Sequence, residues 1–208
     1  MRYKKKRSKE KRIKKTEDVR KKKRLTLMSA AIIVIMISSG FAIMLYGFEG
    51  PSTVEHYNGF RFTYTTEGIS VKVNNNNYFF DWLPQDVDEL NVDQNAINLV
   101  RNAQALTATT DIDTPFLQDL AVASFMINEV FSKDNKWVMN AYTEETGEMP
   151  TATCADATSD IPVLEFREAI LAPLIRTEGN CIILEYDSAS NLQRLTHNFL
   201  YQYLGIIE

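Results

Sequence analysis

The sequence predicts a mixed α/β domain preceded by one transmembrane helix. Three observations carry that reading. Leu25–Phe48 is 24 residues long without one charged side chain. After a short linker, apolar residues alternate at a strand period through Phe60–Val73. From Asn91 the period becomes helical, and strand-like and helix-like segments then follow one another to the end.

At about 1.5 Å rise per residue, Leu25–Phe48 is long enough to cross a hydrocarbon core of roughly 30 Å. Its flanks differ sharply in charge. Residues 1–24 hold 15 Lys and Arg against three acids, leaving 8 of the 23 bases and 24 of the 27 acids for the rest: net +12 against −16. Basic residues beside a span stay on the cytoplasmic side. The expected topology is therefore a disordered basic cytoplasmic tail (1–24), a signal-anchor helix (25–48), a linker (49–58) and an extracytoplasmic acidic domain (59–208) in a cell membrane. The tail is expected to lie along anionic inner-leaflet lipid, each base contributing on the order of 1 kcal/mol. Runs such as Lys4–Arg7 would also suit phosphate backbones, but an acidic folded domain is a poor nucleic-acid binder. A cleaved signal peptide is the other reading of the span. Its apolar stretch exceeds the roughly 7–15 residues usual for one.

Within the domain, Phe60–Thr65, Ile69–Val73 and Tyr78–Phe80 predict a three-stranded meander. Glu67-Gly68 and Asn74–Asn77 form its turns. Asn91 is placed to cap a helix bearing Val92, Ala96, Leu99, Val100 and Ala103. Ala105–Thr110 predicts a strand. Thr114-Pro115 then starts a helix running to about Ser132, with apolar residues so nearly all round that it should be largely buried. Trp137–Tyr142 completes a strand–helix–strand unit with a right-handed crossover. Val163–Phe166 and Cys181–Tyr186 predict two more strands, and Ser190 caps a last helix that Gly205 stops, with Ile206 folding back. The sum is a mixed sheet with about three helices.

Cys154 and Cys181 are the two cysteines. In an exported domain such a pair forms a disulfide, and closing a loop of about 28 residues contributes about 3–4 kcal/mol in the chain-entropy model. The alternative, a redox-active thiol, lacks a Cys-x-x-Cys motif and a neighbouring cation in sequence. Asp111 and Asp113 end a strand just before a helix, where α/β domains hold ligands. Acidic residues also gather at Asp86, Asp88, Glu89 and Asp93, and around Cys154 at Asp156 and Asp160. None of these stretches has the spacing of a calcium loop. His56 and His197 are far from other ligand types, so zinc is not expected. No Gly-x-Ser-x-Gly turn, phosphate loop or Asn-x-Ser/Thr acceptor occurs, and no cofactor is called for.

The order helix, strand, helix, strand, Ile161-Pro162-Val163-Leu164-Glu165-Phe166, strand, helix over residues 92–204 resembles the thioredoxin-like fold. That resemblance implies a cis peptide before Pro162, next to a ligand cleft with Asp111 and Asp113. The family's cysteine pair is missing after the first of these strands, where Asp111-Ile112-Asp113 stands instead. The expectation is a non-enzymatic binding or assembly module, whose partner is another membrane or envelope protein. The alternative is an exported enzyme, most concretely a thiol-redox protein using Cys154 and Cys181.

Overall fold

A computed structural model of the chain describes residues 54–147 and 149–208, together with Met28, Ile32, Val34, Ile35 and Met36. The chain divides into two units, Met1–Ser52 and Thr53–Glu208. In the first, the five described residues are helical. No helix among the described residues is long and apolar enough to cross a membrane. The expected basic tail, the rest of the expected span and residues 49–53 of the linker lie outside the described residues.

Among the described residues, the second unit contains two sheets and three α-helices. Its first sheet is antiparallel in the order β1 (Val54–Tyr57), β2 (Phe60–Thr65), β3 (Gly68–Val73), β4 (Asn76–Phe80). The meander thus has four strands, and the end of the expected linker is its first. Two turns set the registers. Asn58-Gly59 joins β1 to β2 with φ of 45° and 82°, and Asn74-Asn75 joins β3 to β4 with φ of 47° and 71°. Paired positive φ matches the twist of the flanking strands, and Asn and Gly reach it cheaply. Gly68 is needed for a second reason: a Cβ there would stand 2.9 Å from the carbonyl oxygen of Phe80. Phe62, Ile69, Val71, Val73, Tyr78 and Phe80 are buried on one face.

The second sheet comprises β5 (Asn91–Val92), β6 (Ala105–Thr110), β7 (Trp137–Tyr142), β8 (Val163–Glu168), β9 (Leu174–Glu178) and β10 (Cys181–Tyr186), ordered β5-β9-β10-β8-β6-β7. Only β9 and β10 pair antiparallel. The helices are α1 (Gln94–Asn102), α2 (Leu117–Ser132) and α3 (Ala189–Tyr203). Strand, α2, strand is present as expected, with β6 and β7 parallel neighbours. Strands β5 and β9 are additions to the expected order. No cis peptide occurs among the described residues, so Pro162 is trans, contrary to what the thioredoxin-like resemblance implied.

Three helix starts differ from the sequence reading. Asn91 lies in β5, and Asp93 caps α1 by accepting from the amide of Asn95. The hydroxyl of Thr114 does accept from the amide of Phe116, at 3.3 Å, but α2 itself begins at Leu117. Ser188, not Ser190, caps α3. At its far end Gly205 takes a φ of 74° and Ile206 returns into the core. Nor is α2 buried all round. Leu120, Ala123, Ile127, Val130 and Phe131 are buried, whereas Val122 and Phe125 are 43% and 65% exposed.

The core is centred on α3. Tyr201 packs against Phe80 of the meander with ring centroids 4.3 Å apart, and its hydroxyl donates to the carbonyl of Trp82 over 2.6 Å. Phe199 and Tyr203 meet Phe131 of α2. One continuous apolar cluster therefore joins both sheets and all three helices. A smaller cluster, Val163, Cys181 and Ile183 with Cys154 and Ala157, stands apart from it. Since side chains alternate along β8 and β10, it occupies the opposite face of the second sheet.

Candidate functional site

The chain leaves β6 through α2 to reach β7 on one side, while β8 and β10 lie on the other side of β6. Strand order therefore reverses between β6 and β8. Loops leaving such a point diverge, and a crevice opens beyond the carboxyl ends of the strands. Two adjoining cavities occupy it.

The first, of about 600 Å³, lies between α2 and the sheet. Ala108 and Thr110 of β6, Asn140 and Tyr142 of β7 and Phe166 of β8 form one wall. Leu120, Ala121 and Ser124 of α2 form the other, and Met149 contributes from the following loop. The space exists because small side chains (Ala108, Ala121, Ser124) face one another where large ones would interdigitate. Its surface is mainly apolar, with a few hydroxyl and amide groups to orient a ligand, the usual character of a small-molecule site.

The second, of about 460 Å³, is polar and is lined by Asp111, Asp113, Thr114, Glu165, Arg167, Glu168 and Tyr186, among others. Phe166 lines both cavities. Asp111 and Asp113 both line this cavity. Their loop is closed by the Asp113 amide donating to Asp111 Oδ1 over 2.9 Å. Arg167 is engaged by Glu165, 2.5 Å away. The Thr114 and Tyr186 hydroxyls lie 3.3 Å apart. Burial pushes the Tyr186 phenol above its ordinary value; the Thr114 contact opposes this, and the charges of Glu168 and Asp111 add to the rise. Pro162 does not join this cleft. It precedes β8 at the opposite end, where its carbonyl accepts from the Thr107 amide.

Cys154 and Cys181 form a disulfide with Cα atoms 5.1 Å apart. Cys181 opens β10 and is fully buried. Cys154 lies in a 3₁₀ turn, Cys154–Asp156, whose capping box is formed by Thr153 and Asp156. The Thr109 hydroxyl donates to the Ala152 carbonyl over 2.8 Å, and Tyr142 exchanges backbone bonds with Pro150 and Ala152, so the long segment after β7 is held to the sheet beside the disulfide as well as by it. A Glu165 oxygen lies 3.1 Å from Cys154 Sγ. Cys154, Glu165 and Cys181 are the one grouping of three metal-type ligands among the described residues. With both sulfurs in a disulfide, neither is available as a thiolate ligand.

Four of the other acids singled out in the sequence have structural work. Asp88 accepts from the Tyr57 hydroxyl, Glu89 pairs with Arg194, and Asp93 and Asp156 cap turns. His56 lies in β1, and His197 is buried in α3. The sequence reading missed the apolar cavity. Its signal was present in the small residues of Ala105-Leu106-Thr107-Ala108-Thr109-Thr110 and Ala121-Val122-Ala123-Ser124, which leave room where a strand and its crossover helix face each other. No family model, no curated protein and no solved structure matches this chain.

Proposed function

We propose that this is a single-pass membrane protein displaying a disulfide-stabilised binding or assembly module on the outer face of a cell membrane. The observation that carries the reading is the Cys154–Cys181 bond, because such bonds persist in oxidising compartments and are rare in reducing ones. The uncharged stretch Leu25–Phe48 and the opposite charges on its two sides agree with it. The basic tail then rests on anionic inner-leaflet lipid, and the folded part meets another membrane or envelope protein or a small ligand.

A binding role is favoured by the cavity beside α2, whose mainly apolar walls of alanine, leucine and phenylalanine hold a ligand's body. The test uses intact cells expressing the full chain with a C-terminal tag. Added protease should remove the tag, and thiol counting under denaturing conditions without reductant should find no free thiol. A protected tag, or two free thiols, overturns the proposal. Turnover of a dithiol substrate would instead identify an exported redox enzyme.

A further inference from the structure

We propose that the crevice between α2 and the β6–β7 edge binds a small elongated ligand with an apolar body and a cationic end, of the arylalkylamine class. The body would lie against Ala108, Leu120 and Phe166, and the charge would sit toward Asp111 and Asp113. The assignment rests on reading the domain as a binding module and specifies what that module takes.

Size and shape give the first part of the argument. A cavity of about 600 Å³ is within the range that holds small organic ligands, roughly 300–1,000 Å³. It is a groove under a helix rather than a closed void, and Ala121 is exposed while lining it. A ligand can therefore enter without any element moving. Apolar walls favour a hydrocarbon or aryl body through its removal from water.

Charge gives the second part. The adjoining cavity presents four carboxylates and one guanidinium, and that guanidinium is engaged by Glu165. Asp111, Asp113 and Glu168 are left as a negative set beside the apolar space. Phe166, shared by both cavities, adds an aromatic ring at the junction, which favours a cation further. An anionic ligand of the same shape meets the same carboxylates as repulsion. The two features select jointly: the groove sets the body, and its neighbour sets the sign of the end group.

The experiment uses the full chain in zwitterionic lipid nanodiscs and three probes of one shape: phenylbutylamine, phenylbutanol and phenylbutyrate. Binding is followed by equilibrium dialysis, with empty discs giving the lipid background. The amine should bind saturably, about tenfold more tightly than the alcohol, with the carboxylate weakest. Ala121→Phe, which plugs the groove from an exposed helix position, should abolish saturable binding of all three. Asp111→Asn with Asp113→Asn, which keeps the oxygen that closes the loop, should bring the amine to the affinity of the alcohol and leave the alcohol unchanged. Carboxylate binding equal to amine binding overturns the inference, as does an Ala121→Phe protein that still binds. Absence of saturable binding in the unaltered protein, with the disulfide and outer location intact, overturns this inference alone and leaves the binding-module reading standing.

Discussion

The backbone amide of Asp81, one residue beyond β4, donates to Nε2 of His197 in α3 across 3.1 Å. The other ring nitrogen, Nδ1, lies 2.7 Å from the Gln193 carbonyl. An acceptor role at Nε2 leaves the proton on Nδ1, so the imidazole is neutral and is used to its full capacity. It joins the meander to the central helix. Phe80 packs beside it, with ring centroids 5.7 Å apart.

A pH dependence follows. Burial pushes the His197 pKa below its ordinary value, with the Gln193 hydrogen bond and the Asp81 charge opposing in part. The unfolded chain then takes up a proton near pH 6.5 that the folded protein resists. Below that pH the unfolded state binds more protons, so stability falls on acidification. The urea midpoint should drop between pH 7.5 and 5.5 in the unaltered protein. His197→Gln, which retains an acceptor and does not titrate, should flatten that slope. An identical slope in both proteins would rule out His197 as its source.

Asp93 ties the start of α1 to β9. Its Oδ1 accepts from the Asn95 amide and its Oδ2 from the Thr177 hydroxyl, at 2.9 and 2.6 Å. The Thr177 bond is the larger cause of its lowered pKa, and the Asn95 amide follows. A depressed carboxylate contributes stability above its unfolded pKa and loses it as pH falls through the folded value. Asp93→Ala should cost about 1–2 kcal/mol at neutral pH, and Asp93→Asn less. The gap between the unaltered protein and the Asp93→Ala variant should narrow below about pH 4, as read by urea unfolding across that range.

Lys136, just before β7, closes the other end of the same helix. Its ammonium donates to the carbonyls of Val100, Arg101 and Ala103 at 2.9, 2.8 and 2.5 Å. These are terminal acceptors of α1, at the negative end of its dipole. Arg101 in turn donates to the Gln202 and Tyr203 carbonyls at the end of α3. Lys136→Met keeps the aliphatic stem and leaves the carbonyls unpaired, so it should cost about 1.5–3 kcal/mol. Lys133→Met is the comparison: its ammonium meets Glu129, the Tyr78 ring and a single carbonyl, that of Asn77. Equal losses from the two variants would count against the helix-end role.

These contacts show what a sequence can and cannot announce. Local patterns were legible: the alternation of Phe60–Val73, the strand–helix–strand unit around α2, and Asp111-Ile112-Asp113 at a strand end. The cysteine pair was legible from chemistry alone. What failed was mostly non-local or short. Strand β9 buries only Ile175 fully and otherwise carries polar and partly exposed residues, so its pairing with β10 decides it. Strand β5 is two residues long, too short for any period. Strand β1 did have a signal, the Asn58-Gly59 hairpin turn, hidden because it stood in a polar stretch read as linker. The ammonium of Lys136 finds carbonyls more than thirty positions back in the chain, which no spacing rule reaches. Phe125 is exposed because at helical spacing it falls on the side of α2 opposite Leu120, Ile127 and Phe131, facing away from the sheet.

The disulfide offers a prediction that connects stability to the crevice. Cys154 and Cys181 are 27 positions apart, and closing a loop of that size restricts the unfolded chain by about 3–4 kcal/mol. Cys154→Ala with Cys181→Ala, measured by urea unfolding against the oxidised protein, should lose about that amount. The segment released by the change carries Ala152, which accepts from Thr109, and Met149, which lines the apolar cavity. Without the disulfide the segment keeps the Thr109 bond and two backbone bonds to Tyr142, through Pro150 and Ala152, so its hold is loosened rather than lost. The amine probe should therefore bind the double variant more weakly than the oxidised protein, and reduction with dithiothreitol should reproduce both effects. A double variant of unchanged stability would mean that the bond does not constrain the chain. Unchanged amine affinity alongside lost stability would place the Met149 wall outside the bond's influence.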